Sequence, residues 1–354
     1  MRRVKKLMSN SSNVQPALKR LASDCIAAMS LTDTQRESLR RFISCVESSE
    51  YAKTRHSCLC GAIDDIVVAC KDRYGIPLRT VLCKGCGLMR SDPYLSPDAL
   101  VKFYRNDYRS IYEYAASPDS RYLARMITNG ERIYQFFRDH NVAIPKHVFE
   151  VGCGIGGNLV PFLLQDHTVA GCDYGTDYLE IGRKIGLDLR HGDLETLGHR
   201  VPLSLIILSH VLEHFRDPIS ELSCLRKILP EDSLVYVGLP GIYSIRQTYG
   251  DPLLFLQNAH AYHFCLQTLD YAMSLVGFER VYGDERVQAI YRLNLSLQPM
   301  SPDPELYRRV LGYLKRIDRL RWFPHSLFWF QQSMKLARKL MGSRFYEWVK
   351  RVTR

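Results

Sequence analysis

The spacing of apolar positions divides the chain into stretches of different texture. Residues 16–48 predict two helices: one around Ala17–Met29, and one in which Leu39, Phe42, Ile43 and Val46 recur at helical spacing behind a capping-box pattern, Thr34 to Glu37. From Ser57 to Pro93 the helical period is lost. Short β-like pieces, Ile66–Val68 and Leu78–Leu82, stand between cysteines, glycines and prolines. Residues 95–140 are Tyr-rich and helical, with a stripe of Tyr122, Met126, Ile133 and Phe137 ending before Ile144-Pro145.

A βα rhythm then begins. Apolar strands are expected at Val148–Val151, Thr168–Cys172, Leu189–His191, Leu203–Leu208 and Ser233–Gly238. Helices are expected at 159–164, 178–185, 219–229 and 268–276. Phe278–Tyr282 and Val287–Leu297 complete the pattern as a closing hairpin. Strands that alternate with helices predict an α/β fold, a mostly parallel doubly wound sheet with right-handed crossovers and an antiparallel last hairpin. In the tail, Leu306, Val310, Leu314 and Ile317 form one helical stripe, and Phe330, Met334, Ala337 and Met341 a second.

Five segments follow: a helical extension (1–52), a cysteine module (53–94), a helical connector (95–144), the α/β domain (145–299) and a basic amphipathic tail (300–354).

The 354 residues are 46% hydrophobic and 24% charged, ordinary for a core-forming protein and incompatible with disorder throughout. The net charge of +11 is uneven. Residues 301–354 hold 13 Lys/Arg against 4 Asp/Glu, a net +9, and residues 1–25 carry +5, which leaves about −3 for the body. Basicity therefore describes the termini. Arg and Lys beside Trp322, Trp329 and Trp348 suit either an anionic membrane surface or the solvated face of helices docked on the body, while no stacking or groove-reading motif accompanies the charge, which disfavours nucleic acid.

The start, MRRVKKLMSNSSN, has no apolar stretch behind it of the kind an export signal needs, and the longest apolar run, Leu203–Leu212, falls short of the roughly 20 residues of a membrane span. A cytoplasmic location is expected, with peripheral contact at the inner membrane surface through the tail. Eleven cysteines, an odd number, then read as reduced thiols, and clustered ones favour metal. Cys58-Leu-Cys60-Gly and Cys83-Lys-Gly-Cys86-Gly are 22 residues apart, so Cys58, Cys60, Cys83 and Cys86 can enclose a structural Zn2+, with His56 or Cys70 as substitute ligands.

Val148-Phe-Glu-Val-Gly-Cys-Gly-Ile-Gly-Gly157 puts glycines at alternate positions between a strand and a helix, where backbone can approach a ligand closely. Asp173 ends the second strand 23 residues after Glu150, placed to accept from ribose hydroxyls. His191-Gly-Asp193 follows the third strand and Ser209-His-Val-Leu-Glu-His214 the fourth. A carboxylate at Glu150 repels a pyrophosphate but suits a cationic amino group and a sulfonium.

With these motifs in this order, the chain resembles the class I S-adenosylmethionine-dependent methyltransferases over residues 145–298, including Asp217-Pro218, Leu239-Pro-Gly and Leu275-Val-Gly-Phe278. The resemblance implies a Rossmann-like sheet. It implies that Glu150, Gly152, Gly154 and Gly156 hold the methionyl part of the donor, that Asp173 takes the ribose and Asp193 and Leu194 the adenine, with Cys153 and Tyr174 also in the donor site. Ser209 and His210 would line the pocket near the sulfonium. The Asn/Asp-Pro-Pro-aromatic sequence of enzymes acting on nucleobase amines is replaced by Ser-His-Val-Leu, which points to oxygen, or less strongly carbon, as acceptor.

Cys83-Lys-Gly-Cys-Gly-Leu-Met-Arg-Ser-Asp-Pro93 and Phe103-Tyr-Arg-Asn-Asp-Tyr108 resemble a subset of that family with an N-terminal zinc-binding module, many of whose members act on sugars or glycans. The first knuckle departs from the subset's pattern, with Ser57 where the first cysteine stands. The subset's His base aligns best with His260 in Ala259-His-Ala-Tyr-His-Phe264, ahead of His210 and His214, although Asn258-Ala259 replaces the acidic neighbour. The implied function is methyl transfer to an oxygen of a sugar in a nucleotide-sugar or surface-glycan intermediate. The alternatives are O-methylation of a small metabolite or lipid-linked intermediate, and a non-catalytic donor-binding scaffold of a glycan-assembly complex.

Overall fold

The computed structural model describes residues 15–112, 120–193 and 203–321. Leu194, the second tail stripe and the three tryptophans lie outside them.

Five short strands come first: β1 (Lys53–Thr54), β2 (Asp65–Lys71), β3 (Pro77–Cys83), β4 (Met89–Ser91) and β5 (Tyr94–Leu95). The α/β part follows with β6 (His147–Val151), β7 (Thr168–Asp173), β8 (Asp188–His191), β9 (Leu205–Ser209) and β10 (Leu234–Gly238). Last come β11 (Tyr262–His263), β12 (Phe278–Gly283) and β13 (Gln288–Leu293).

The large sheet has the order β12-β13-β10-β9-β6-β7-β8. β6 to β10 pair in parallel, while β13 runs antiparallel to β10 and β12 antiparallel to β13, as the apolar pattern predicts. The order reverses direction between β6 and β9, so the carboxyl ends of these two strands frame the crevice where ligands dock in open α/β sheets. Side-chain alternation sorts the core into two layers. Phe149, Val151, Ile206, Leu208, Val235 and Val237 pack on Leu222, Leu225, Leu269 and Met273. Val148, Leu205, Ile207, Leu234 and Tyr236 pack on Ile133, Phe137, Phe162 and Leu179.

A second, antiparallel sheet has the order β11-β4-β3-β2. Its fourth strand comes from the α/β part: Tyr262 pairs with Arg90 and His263 with Met89. The buried guanidinium of Arg90 grips Asp65 through two hydrogen bonds of 2.9 and 2.8 Å, a bidentate geometry that ties β4 to β2 across the module.

Two helical expectations change near the N-terminus. The helix over Ala17–Met29 is absent; only a 3-10 turn at Lys19–Leu21 forms. The segment instead lies along β2, with Ala17 N–H donating to Val67 and Leu18 N–H to Val68, because an open strand edge offers backbone acceptors that local helix cannot match. The helix Asp33–Glu47 forms, but its capping box is Thr32 with Gln35. Its Leu39 and Phe42 pack into the aromatic nest of Tyr51, Phe103 and Tyr74, where Asp107 takes hydrogen bonds from Tyr51 and Arg41.

The first tail stripe takes the docked alternative. Helix Leu306–Leu320 buries Leu306, Val310, Leu314 and Ile317 against Val68, Leu82, Met89, Ile242 and Leu253, so this part of the tail docks on the cysteine module and shares its core. Removing buried methyl and methylene groups leaves a cavity as well as losing transfer energy. Leu314→Ala should therefore cost about 2–5 kcal/mol in denaturant unfolding. Arg316→Ala on the outer face of the same helix should stay within about 0.5 kcal/mol.

Candidate functional site

The carboxyl end of β6 turns through Gly152, Gly154 and Gly156, all with positive φ (65°, 53° and 74°). The three glycines are needed for two reasons. A Cβ on Gly156 would sit 2.7 Å from Leu187, and one on Gly152 2.7 Å from Val211, so these two allow tight packing. A Cβ on Gly154 would meet only Tyr122 and Tyr178, 3.6 and 3.8 Å away, leaving room beside its backbone for a ligand.

Carboxylates ring this turn. Asp173 accepts from Gly154 N–H at 2.9 Å and Gly175 N–H at 2.6 Å, which fixes its orientation at the end of β7. Arg109, on the connector, reaches within 3.7 Å of it while its guanidinium lies over the Tyr178 ring. Glu150 is buried; one oxygen accepts from Asn158 Nδ2 at 2.5 Å and the other has no partner. Burial, with Asp173 adding a smaller push, raises its carboxyl to about 8. That orphaned oxygen fits an ammonium group on a donor. Asn129 continues the network, donating to Asn158 at 3.0 Å and to Ser209 Oγ at 3.4 Å.

Tyr174 hydroxyl donates to Asp193 at 2.7 Å, joining two of the expected donor-site residues. Cys153 is the exception among them. Its buried thiol packs against Gly171, where a Cβ would come within 2.9 Å of the sulfur, and donates weakly to the Gly154 carbonyl at 3.8 Å, so it lies behind the turn.

Helix Ser120–Asp139 crosses directly over the turn, and small residues permit this. A Cβ on Gly130 would meet the backbone oxygen of Asn158 at 2.4 Å, and one on Gly157 would meet Met126 at 2.5 Å.

The strand-four motif occupies the other side of the crevice. His210 has φ of 57°, a left-handed conformation that costs a non-glycine residue and is often stored at functional sites. Its N–H donates to Gly238 at 2.7 Å, and its side chain is 62% exposed at the end of β9. Beneath it lies Glu213, 1% exposed, with neither carboxylate oxygen hydrogen-bonded. Three imidazoles surround this charge: Nδ1 of His210 at 3.4 Å, Nε2 of His260 at 3.9 Å and Nε2 of His214 at 4.0 Å.

Burial pushes Glu213 upward, but the histidines outweigh it and hold the carboxyl below its ordinary value. His210 responds oppositely: burial lowers it, yet pairing with Glu213 leaves it raised. His214 is lowered by burial, and His260 far more so, with its fellow histidines adding to the effect. His263 falls to about 3 by burial.

The three candidate bases thus share one cluster, and the structure separates them by access. His260 is 3% exposed, and its ring nitrogens face the amide of Gln257. His214 is held by Tyr104 and by the Ala259 carbonyl. Only His210 faces open space. The acidic neighbour that the sequence around His260 lacks is supplied from the strand-four loop by Glu213. Position alone did not reveal Glu213, but a carboxylate between two histidines in Leu-Glu-His214 carried the signal.

The segment bearing His260 is fixed by the cysteine module. Ser91 N–H and Oγ donate to the carbonyls of Ala261 and His260 at 2.9 and 2.8 Å, and Tyr94 hydroxyl to that of Ala259 at 2.8 Å. In the module, Cys58, Cys60, Cys83 and Cys86 converge, with Sγ–Sγ separations of 3.4 Å (Cys58 to Cys86) and 3.6 Å (Cys60 to Cys83). Tetrahedral thiolates at about 2.3 Å from Zn2+ lie about 3.8 Å apart, so the four sulfurs fit that ion closely. His56 stands outside the group, near Asp92 and Tyr262.

Residues 121–282 match a family model described as a methyltransferase domain. No curated protein matches the chain. Solved structures similar to it include a SAM-dependent methyltransferase from Methanosarcina mazei, 14% identical over 46% of this chain and 99% of that one, with a TM-score of 0.36. A second is 1,6-didemethyltoxoflavin-N1-methyltransferase from Burkholderia thailandensis, 15% identical over 58% and 96%, TM-score 0.43. A third is an amino pentose methyltransferase from Micromonospora echinaspora, 14% identical over 53% and 96%, TM-score 0.36. Likeness at this level carries no argument about substrate. The domain match, the 3-2-1-4-5-7-6 order of the large sheet counted from β6 as its first strand, and the acidic glycine turn agree: residues 121–282 form a methyltransferase domain, which supports S-adenosylmethionine-dependent methyl transfer as the activity of the chain.

Proposed function

We propose that the protein methylates an oxygen of a sugar, in a nucleotide-sugar or surface-glycan intermediate, with His210 as general base. One observation carries the reading. The exposed imidazole of His210 is backed by the buried Glu213 carboxylate, and the next residue, Val211, packs on Gly152 of the donor turn. S-adenosylmethionine, when bound, supplies a methyl group on a sulfonium. Glu150, Asn158 and the backbone at Gly154 would hold its methionyl end, and Asp173 with Tyr174 and Asp193 its nucleoside. His210 would accept the proton that the acceptor hydroxyl gives up, while Glu213 stabilises the imidazolium that forms. Tyr104 and His214 fix the wall behind it. The sugar class rests on the resemblance of residues 83–93 and 103–108.

A second reading, a lipid-linked acceptor, is favoured by one feature. Lys315, Arg316 and Arg319 are exposed on the outer face of helix Leu306–Leu320, a cationic strip suited to an anionic bilayer surface. No helix among the described residues is long and apolar enough to cross a membrane.

Methyl transfer from labelled donor should be measured with a panel of nucleotide sugars and lipid-linked glycans. His210→Ala should lower turnover about 10²- to 10⁴-fold, with donor affinity by calorimetry unchanged and partial rescue by added imidazole. Asp173→Ala should instead weaken donor binding; unchanged binding would refute the donor site. We also assign a structural Zn2+ to Cys58, Cys60, Cys83 and Cys86. One equivalent per chain is expected by elemental analysis, lost in Cys83→Ser/Cys86→Ser together with a lower unfolding midpoint. Changing Lys315, Arg316 and Arg319 together to Gln should reduce co-sedimentation with phosphatidylserine vesicles; vesicle binding equal to that of the parent chain would discard the membrane contact.

A further inference from the structure

Glu213 poses a problem of charge. It is 1% exposed and neither oxygen accepts a hydrogen bond, so the three imidazoles alone offset the burial of its charge. The imidazole nitrogens facing it, at 3.4 to 4.0 Å, are too far for well-formed hydrogen bonds. Glu213, His214 and His260 each offer one ligand atom, and the three atoms lie within 4.8 Å of one another.

We propose that Glu213, His214 and His260 hold a divalent transition-metal cation at the floor of the acceptor pocket, a site separate from the four cysteines, and that the acceptor docks on it through adjacent oxygens. The role in docking rests on the sugar acceptor and the His210 base proposed above.

The histidine tautomers favour this. His214 Nδ1 lies 3.0 Å from the Ala259 carbonyl and 2.9 Å from the Tyr104 hydroxyl. Donation from Nδ1–H to that carbonyl leaves the Nε2 lone pair facing Glu213, the arrangement by which a backbone carbonyl commonly orients a metal-bound imidazole. His260 is held from behind, its carbonyl bonded to Ser91 and its ring packed at 4.8 Å between centroids on His214. The amide nitrogen of Gln257 now abuts His260 Nε2, while its Oε1 accepts from Arg73 at 2.7 Å; a cation would take the place of that amide contact. Bonds of about 2.0–2.2 Å require the three atoms to draw in by only a few tenths of an ångström each.

The donor set selects the ion. Two imidazoles and one carboxylate suit Mn2+, Fe2+, Co2+ or Zn2+ better than Mg2+ or Ca2+, and three protein ligands leave coordination positions open. His210 is the exposed member of the cluster, with its Nδ1 3.4 Å from Glu213. Vicinal hydroxyls of an acceptor could occupy the open positions, which lowers the pKa of the hydroxyl to be methylated, and His210 then receives its proton. The histidines thereby divide the chemistry, two binding the ion while the exposed one moves the proton.

The test uses the full chain and Mn2+, which binds thiolates poorly and so reports on this site rather than on the cysteines. Titration followed by loss of the free Mn2+ electron paramagnetic resonance signal should show one saturable equivalent per chain. Glu213→Gln and His260→Gln should each weaken it at least tenfold, with donor affinity retained as proof of folding. Absence of saturable binding by the parent chain overturns the proposal, as does binding that both variants retain, which would place the ion elsewhere. Methyl transfer supplies an independent arm. Rates that fall on EDTA treatment and return with Mn2+ support the site, whereas an undiminished rate after removal overturns the metal and leaves the methyltransferase reading intact. Mn2+ binding at this site without transfer to any sugar would overturn the acceptor instead.

Discussion

The pairing of Tyr262–His263 with Met89–Arg90 is the interaction on which the rest depends. It makes a two-residue strand from the α/β part the edge of the cysteine module's sheet, so neither part has a self-contained set of backbone partners. Three further hydrogen bonds from Ser91 and Tyr94 reach the carbonyls of residues 259 to 261. These bonds are buried, and buried backbone groups cannot trade their partners for water without cost. The module thereby sets where His260 stands, and His260 stands against Glu213. The cysteine knuckles and the crevice between β6 and β9 are joined by one short ladder.

The glycine turn imposes the second constraint. Three left-handed residues at alternate positions strongly favour glycine, and they bring the backbone of residues 152–156 under helix Ser120–Asp139. Gly130 and Gly157 remove the side chains that would hold the helix away. The helix then roofs the donor crevice and delivers Asn129 to Asn158, and through it to Glu150. Connector and α/β domain are continuous here in packing as well as in sequence.

Charge organises the acceptor side. The site gathers one buried carboxylate and four histidines where the parallel strands end, and the low local dielectric makes each of their interactions count for more than at the surface. The cluster is graded outward. His260 and His263 are enclosed and held neutral, His214 is intermediate, and His210 meets solvent with its basicity increased by Glu213.

By itself the sequence determined the α/β class, the parallel core and closing hairpin, the acidic glycine turn and the four-cysteine group, because each is written in local spacing: period-two or buried apolar runs, glycines at alternate positions, paired knuckles. It also brought His210, His214 and His260 forward as candidates, from separate segments. Tertiary structure decided which of them is accessible, since access depends on packing between segments about 50 residues apart. It supplied Glu213 as the partner that the neighbourhood of His260 lacks, and turned the thiol of Cys153 inward. It laid residues 17 and 18 along a strand edge instead of in a helix, and it drew the apolar stripe of 306–317 into the module's core. An amphipathic stripe states that a helix will bury one face; only the assembled surfaces around it determine against what.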